Sequence, residues 1–279
     1  MLQQLIPSAI GRGRNGLSIL SPQTAGRQAI QLFCHPRRGR LLPDQKTFLA
    51  TAESTFQLQT QHGTVQGYTW NPGASRRLLL LHGWESNAAR WSRLIPYLTR
   101  ANYCVHAIAA PAHGASSNEL FDMIQYADAI AAAARNCQPQ VMIGHSVGGA
   151  TLAYYLSHYS PAPLDRIVLM GLPVSLRTMI QHFQDTLGMN RRSQRGMDLA
   201  FEDQFQHSID YFSPAEFCGA IPFPTLLIHD RDDQLTPLAG GLTCYEALPQ
   251  SEVFLTEGFG HSLQDVSVYQ KIVDYLSGE

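Results

Sequence analysis

Ser146 stands in a sequence context that could make its hydroxyl a nucleophile. It is the centre of Gly144-His145-Ser146-Val147-Gly148, which follows the apolar residues 141–143 and precedes small residues that predict a helix. A strand, a tight turn and a helix in this order raise a serine above the edge of a sheet. The Val147 N–H would then lie at a helix N-terminus, where it could donate to a developing oxyanion. A glycine-rich turn with an incidental serine is the alternative interpretation.

A serine hydroxyl is a weak nucleophile until a base takes its proton and a third group orients that base. In this kind of architecture the acid and then the histidine follow the serine, each in a loop after a late strand. Residues 230–237 form one such loop, with aspartates at positions 230, 232 and 233, and residues 258–262 form another, which contains His261. His229, at the end of the strand before the aspartates, is an alternative base.

Short apolar segments alternate with helical patterns over most of the chain, and these are the elements that must position the candidate groups. Such alternation is typical of an α/β fold with a mostly parallel sheet covered on both faces. We predict a twisted sheet of about eight strands with helices on both faces. The predicted strands lie near residues 55–59, 65–70, 76–81, 105–109, 141–143, 167–170, 225–229 and 253–256.

The domain prediction has four segments. Residues 1–54 form an N-terminal extension, weakly structured to about residue 21 and helical from there to about Cys34. Residues 55–170 and 224–279 form the two parts of the core. Residues 171–223 have no strand pattern but have apolar residues at helical spacing, so we predict a helical cap over the carboxyl edge of the sheet. Met179 and Phe183 in this cap are either core residues or a substrate-binding wall.

The composition excludes several classes of function. Twenty basic and 22 acidic residues give a net charge of −2, which argues against a nucleic-acid-binding surface. Five widely spaced cysteines without a C-x-x-C pair favour reduced core residues in a cytoplasmic protein over disulfides or a zinc site. We find no metal-ligand spacing and no P-loop, and we expect neither a metal nor a cofactor. No apolar run is long enough to predict a membrane span.

Four motifs in this order resemble those of the α/β-hydrolase superfamily, from about Thr55 to the C-terminus. They are His82-Gly83-Trp84, the Gly-x-Ser-x-Gly segment around Ser146, Asp233-Gln234-Leu235-Thr236-Pro237, and Gly260-His261. The resemblance is to serine esterases and lipases with a helical cap. It implies that Ser146 is the nucleophile, His261 the base and Asp233 the acid, with the N–H groups of Trp84 and Val147 as the oxyanion hole.

The sequence departs from the family pattern at two positions. Asp230 stands where relatives usually have glycine, so that Asp232 stays an alternative to Asp233 as the acid. Ala109 replaces an aspartate common before the Pro-x-His-Gly turn, a change that we expect to alter loop packing rather than chemistry.

We therefore predict a serine hydrolase that cleaves small carboxylic esters through an acyl-enzyme. Predicted substrate contacts are His82, Gly83, His145, Met179 and Phe183, although His82 and His145 also flank glycine turns, where histidines commonly bond loop backbone. Thioesterase, lactonase, amidase and perhydrolase activities could use the same triad. A catalytically silent binding protein is the alternative from another class. The oligomeric state is open.

Overall fold

The computed structural model describes the backbone of residues 2–278 and the side chains of residues 10–278, in two compact units. The sheet unit comprises Pro36–Val174 and Pro214–Glu279, and the helical unit comprises Met1–His35 and Ser175–Ser213. The predicted boundaries after residues 54, 170 and 223 stay predictions. The structure adds that the N-terminal helices and residues 175–213 belong to one unit.

Over the described residues, eight strands form one sheet in the order β1-β2-β4-β3-β5-β6-β7-β8. β1 pairs with β2 and β2 with β4 in antiparallel fashion, and all the other pairs are parallel. The mostly parallel sheet of about eight strands predicted from the sequence is confirmed. The strands are β1 (Ser54–Thr60), β2 (Gly63–Trp70), β3 (Arg76–Leu81), β4 (Tyr103–Ile108), β5 (Val141–His145), β6 (Arg166–Met170), β7 (Thr225–Asp230) and β8 (Ser251–Thr256).

The central strands are apolar without interruption because both of their faces are covered. In β3, Leu78 and Leu80 join a core cluster that also contains residues of α4 (Ile95–Arg100) and α11 (Val266–Ser277). Leu79 and Leu81 are equally buried but point to the opposite face, since side chains alternate along a strand. The remaining helices of the sheet unit are α3 (Pro43–Leu49), α5 (Met123–Cys137), α6 (Val147–His158), α9 (Pro214–Gly219) and α10 (Leu238–Ala247).

The helical unit contains α1 (Leu2–Leu20), α2 (Pro22–Cys34), α7 (Leu176–Leu187) and α8 (Arg191–Phe205). Ser21 caps α2 by accepting a hydrogen bond from the Thr24 N–H. The helix predicted for residues 22–34 is therefore confirmed, whereas the prediction of weak structure before it is wrong. A Cβ on Gly11 would lie 1.6 Å from the Leu187 carbonyl oxygen, so its glycine lets α1 pack closely on α7.

Gly11, Gly13 and Gly16 match the letters Gly-x-Gly-x-x-Gly that occur in dinucleotide-binding loops. All three lie inside the helix α1, without the preceding strand that such a loop requires. This match therefore indicates no phosphate site.

Candidate active site

Ser146 lies at the corner between β5 and α6. Its backbone has a φ of 55° and a ψ of −127°, and residues with a side chain rarely adopt a positive φ. The Ser146 N–H donates to the Met170 carbonyl at 2.8 Å, which ties the corner to the adjacent strand. The turn is tight: a Cβ on Gly148 would lie 2.4 Å from the His82 carbonyl oxygen. The strained corner holds the hydroxyl at the carboxyl edge of the sheet.

His261 connects the Ser146 hydroxyl to a carboxylate. It lies in a turn of 3-10 helix, Gly260–Ser262, after β8. Its Nε2 is 3.0 Å from Ser146 Oγ, and its Nδ1 is 2.8 Å from Asp233 Oδ2. An ionised carboxylate only accepts hydrogen bonds, so Nδ1 donates to Asp233 and Nε2 offers its lone pair to the serine hydroxyl.

The Asp233 side chain is fully buried and is held by its own loop. Its Oδ1 accepts the N–H groups of Leu235 and Thr236 at 2.9 and 2.8 Å. Burial alone would raise the pKa of the Asp233 carboxyl, but hydrogen bonds from His261 and Thr236 outweigh it and lower the pKa to about 2. The group is therefore a carboxylate at neutral pH.

Thr236 is a residue of this site that the sequence did not single out. Its Oγ1 donates to Asp233 Oδ2 at 2.7 Å and lies 2.9 Å from His261 Nδ1. The carboxylate is thus oriented from two sides. A local signal in the sequence could have identified Thr236, because aspartates in turns commonly bond to residues two or three positions onward.

The two other aspartates of the loop have different partners. Asp230 is buried and accepts hydrogen bonds from Thr256 Oγ1 at 2.6 Å and from the Asp232 N–H at 2.9 Å. Asp232 accepts the Gly258 N–H at 3.0 Å. Both hold the chain just before the histidine turn, and the structure brings Asp233 to the imidazole.

The segments that carry Trp84 and Val147 meet at the serine. A Cβ on Gly83 would lie 2.9 Å from the Ser146 Cβ, so the loop after β3 passes directly against the serine. Val147 is the first residue of α6, where a backbone N–H has no partner within the helix. The Trp84 ring packs edge-on against Phe121 at 5.2 Å. An oxyanion role for the two N–H groups stays a prediction.

His82 and His145 hydrogen-bond loop backbone. His82 Nδ1 donates to the Gly83 carbonyl at 2.8 Å and its Nε2 accepts the Ala110 N–H at 2.9 Å. Burial is the main reason that the pKa of His82 is lowered to about 3. His145 Nε2 donates to the His261 carbonyl at 2.8 Å. Substrate contact by His82, Gly83 or His145 stays a prediction.

His229, the alternative base, is also fully buried. Its Nε2 donates to the Thr236 carbonyl at 2.7 Å and lies 3.7 Å from Asp233 Oδ2. It therefore holds the acid loop through the Thr236 carbonyl. The imidazole that is hydrogen-bonded to Ser146 Oγ is that of His261.

Residues 76–207 match a family model described as the alpha/beta hydrolase fold. An esterase of Pyrococcus furiosus superposes with a TM-score of 0.66 over 88% of this chain and 97% of that chain, at 19% identity. This chain has the α/β-hydrolase fold. The fold that the four sequence motifs imply is thereby confirmed.

Relatives of this α/β-hydrolase-fold protein include a bifunctional esterase/perhydrolase of Acinetobacter calcoaceticus. That protein is 23% identical over 70% of this chain and 88% of its own length. A non-heme haloperoxidase of Rhodococcus erythropolis is 25% identical over 74% of this chain and 92% of its own length. Both matches extend over most of the relative's own length.

Met179 and Phe183, the predicted wall residues of this α/β-hydrolase-fold protein, lie on α7 of the helical unit. Both are partly exposed. The Phe183 ring packs edge-on against Phe33 with centroids 5.3 Å apart, a contact within that unit. Phe183 thus has a packing role, and a substrate-binding role for either residue stays a prediction.

None of the helices that the structure describes is long and apolar enough to cross a membrane. Among the described residues, no group of three or more His, Cys, Asp or Glu side chains is arranged to hold a metal ion.

Proposed function

We propose that this protein is a serine hydrolase that cleaves carboxylic esters through an acyl-enzyme intermediate. The observation that carries the proposal is the chain of hydrogen bonds from Ser146 Oγ through His261 to Asp233, at 3.0 and 2.8 Å. A binding protein has no need for a serine whose proton is already paired with an oriented imidazole. The similarity to a bifunctional esterase/perhydrolase supports acyl-transfer chemistry.

In the first half-reaction Ser146 Oγ attacks the ester carbonyl, and its proton passes to His261 Nε2. The imidazolium that forms is stabilised by the Asp233 carboxylate on the opposite nitrogen. The carbonyl oxygen becomes an oxyanion, which accepts hydrogen bonds from the N–H groups of Trp84 and of Val147, the latter at the N-terminus of α6. His261 then gives its proton to the departing alkoxide, and the alcohol leaves.

In the second half-reaction His261 takes a proton from a water molecule, which attacks the acyl-serine carbonyl. The tetrahedral intermediate collapses when Nε2 returns the proton to Ser146 Oγ, and the carboxylic acid is released. Every proton transfer passes through the same nitrogen. The buried, low-pKa Asp233 keeps that nitrogen in its acceptor form between cycles.

Fluorophosphonate labelling tests the proposal directly. The wild-type protein should gain one covalent adduct on Ser146, and a series of p-nitrophenyl esters from two to 16 acyl carbons should be hydrolysed. Ser146→Ala should not be labelled and should lose turnover by roughly 10⁴-fold or more while keeping its fold. A folded wild-type protein that neither labels nor hydrolyses any ester would instead be a silent binding protein.

A second candidate function differs from ester hydrolysis in the molecule that accepts the acyl group. A relative named for both esterase and perhydrolase activity makes hydrogen peroxide a specific candidate in place of water. Peroxide attack on the acyl-serine would release a peracid and regenerate the hydroxyl without any redox change at the protein. Adding peroxide during ester turnover and measuring the peracid-to-acid ratio distinguishes the two. Acyl-thioesters, lactones and amides, offered in parallel, define the leaving group.

A further inference from the structure

The turn that bears His261 has a positive φ at both of its ends, which glycine accepts freely at the first end but which is unfavourable for the leucine at the second. Gly260 has a φ of 57°, and Leu263 has a φ of 51° although it carries a fully buried side chain. A positive φ in a residue with a side chain is costly and persists only when the surroundings enforce it. The position of the imidazole therefore depends on contacts from outside the turn.

Two side chains provide such contacts by donating to the inner carbonyls of the turn. His145 Nε2 donates to the His261 carbonyl and Arg90 Nη2 donates to the Ser262 carbonyl, each at 2.8 Å. His145 precedes Ser146, and Arg90 lies in the 3-10 helix Ala88–Arg93 that follows the Trp84 loop. The histidine turn is thus connected to the segment that carries Ser146 and to the segment that carries Trp84.

The charge of Arg90 is not balanced by a nearby carboxylate. Within the part of the chain that the structure describes, its Nε is buried without a hydrogen-bond partner and no ion pair includes it. Burial lowers the pKa of the guanidinium to about 10, and the group lies 5.1 Å from the Trp91 ring centroid. Arg90 as a whole is only partly buried, but a buried N–H without an acceptor is itself costly to keep.

A second hydrogen bond joins Arg90 to the segment that follows the histidine turn. Gln264 Nε2 donates to the Arg90 carbonyl at 3.4 Å. Residues on both sides of Leu263 are therefore tied to Arg90, one to its side chain and one to its backbone.

We propose that Arg90 is a positioning residue, which fixes the angle at which His261 Nε2 meets Ser146 Oγ by holding the Ser262 carbonyl. The kinetic consequence rests on the proposed hydrolase function, whereas the structural consequence does not. The planar guanidinium suits this task because it can hydrogen-bond a carbonyl while stacking on Trp91.

The test compares Arg90→Gln and Arg90→Lys with Arg93→Gln, an exposed arginine of the same 3-10 helix. With p-nitrophenyl acetate, Arg90→Gln should lower kcat by about 10- to 100-fold and leave KM nearly unchanged, because a displaced imidazole impairs chemistry more than binding. Arg90→Lys should recover part of the loss, and Arg93→Gln should match the wild type. Equal kcat values in Arg90→Gln and Arg93→Gln would overturn the proposal.

Amide hydrogen exchange of residues 260–264 gives a readout that needs no activity. The exchange should be about tenfold or more faster in Arg90→Gln than in Arg93→Gln, with smaller changes elsewhere. If the wild-type protein hydrolyses nothing, the proposed function fails, but this exchange still decides the role of Arg90. Unchanged exchange in both Arg90 variants would show that the turn does not depend on the guanidinium.

Discussion

The Asp233 carboxylate decides which tautomer His261 presents to Ser146. At 2.8 Å from Nδ1 it can only accept, which keeps the proton there and leaves Nε2 as a base. Asp233→Asn would offer an amide that can donate to Nδ1, so the imidazole could take the wrong tautomer. We expect kcat to fall by about 10⁴-fold.

Asp232→Asn is the matched control for that substitution. The new side chain keeps an oxygen that can accept the Gly258 N–H, so we expect a kcat close to that of the wild type. We expect lower stability, because a neutral amide oxygen is a weaker acceptor than a carboxylate. The measurement is kcat for both purified variants at equal folded fraction. An inactive Asp232→Asn beside an active Asp233→Asn would move the acid by one residue.

Thr236 provides a second prediction at this scale. Thr236→Val removes the hydroxyl that donates to Asp233 Oδ2, and Thr256→Val removes the equivalent hydrogen bond to Asp230. Each change should lower the free energy of unfolding by about 1–3 kcal/mol, since the acceptor is charged. We expect kcat to fall more in Thr236→Val, because only that hydroxyl orients the carboxylate paired with His261. Equal kcat losses would mean that both threonines merely stabilise the loops.

Sequence patterns located Ser146, His261 and the acid loop because each lies beside glycine or proline that marks a turn after a strand. Arg90 lacked such a signal, since its partner Ser262 lies 172 residues away in the chain. Thr236 stands beside Pro237 and its contact with Asp233 is local, but its contact with His261 spans 25 residues. Ordinary residue types whose contacts form only in the folded chain cannot be recognised from one sequence.

At the scale of elements, prediction succeeded where burial is uniform. Strands covered on both faces are continuous apolar runs, and the strand predicted at residues 76–81 coincides with β3. The pattern of residues 89–100 predicts a helix whose start Pro96 should kink or shift. The structure divides this segment: Pro96 follows the first residue of α4, and a 3-10 helix precedes it. Proline is accepted in the first turn of a helix and not in its interior.

The packing of α2 on α8 depends on two glycines. A Cβ on Gly26 would lie 2.0 Å from the Gly196 carbonyl oxygen, a backbone atom that cannot move alone. Gly26→Ala should therefore lower the free energy of unfolding of the helical unit by about 1–3 kcal/mol. Gly13→Ala is the control, because a Cβ there meets nothing within 4 Å and alanine favours a helix. Urea unfolding should show loss of stability in the first variant and none in the second.

At the scale of the whole molecule, the sequence did not predict that residues 1–35 share a compact unit with residues 175–213. About 140 residues of the sheet unit separate them in the chain, and helical periodicity identifies a buried face without identifying what covers it. The sheet was predictable because most neighbouring strands in the order β1-β2-β4-β3-β5-β6-β7-β8 are also consecutive in the chain.

Acid sensitivity is a property of the entire fold. Burial lowers the pKa of four histidines in the sheet unit, to about 3 for His82, to about 4 for His106, and below its ordinary value for His113 and for His145. Their neutral forms are held in the folded state, whereas the unfolded chain takes up protons near pH 6.5. Their contribution to stability is complete above pH 6.5 and is lost as the pH falls toward 4 and 3.

We therefore expect the free energy of unfolding to decrease from pH 7 to pH 4, with each such histidine contributing about 1.4 kcal/mol per pH unit inside its own window. His82→Gln removes one of these groups. The variant should be less stable at pH 8, because it loses the two hydrogen bonds of the imidazole, one to the Gly83 carbonyl and one from the Ala110 N–H. Its stability should nevertheless fall less steeply between pH 6 and pH 4. Urea titrations of both proteins across that range measure the two slopes, and parallel curves would show that His82 is already protonated in the folded state.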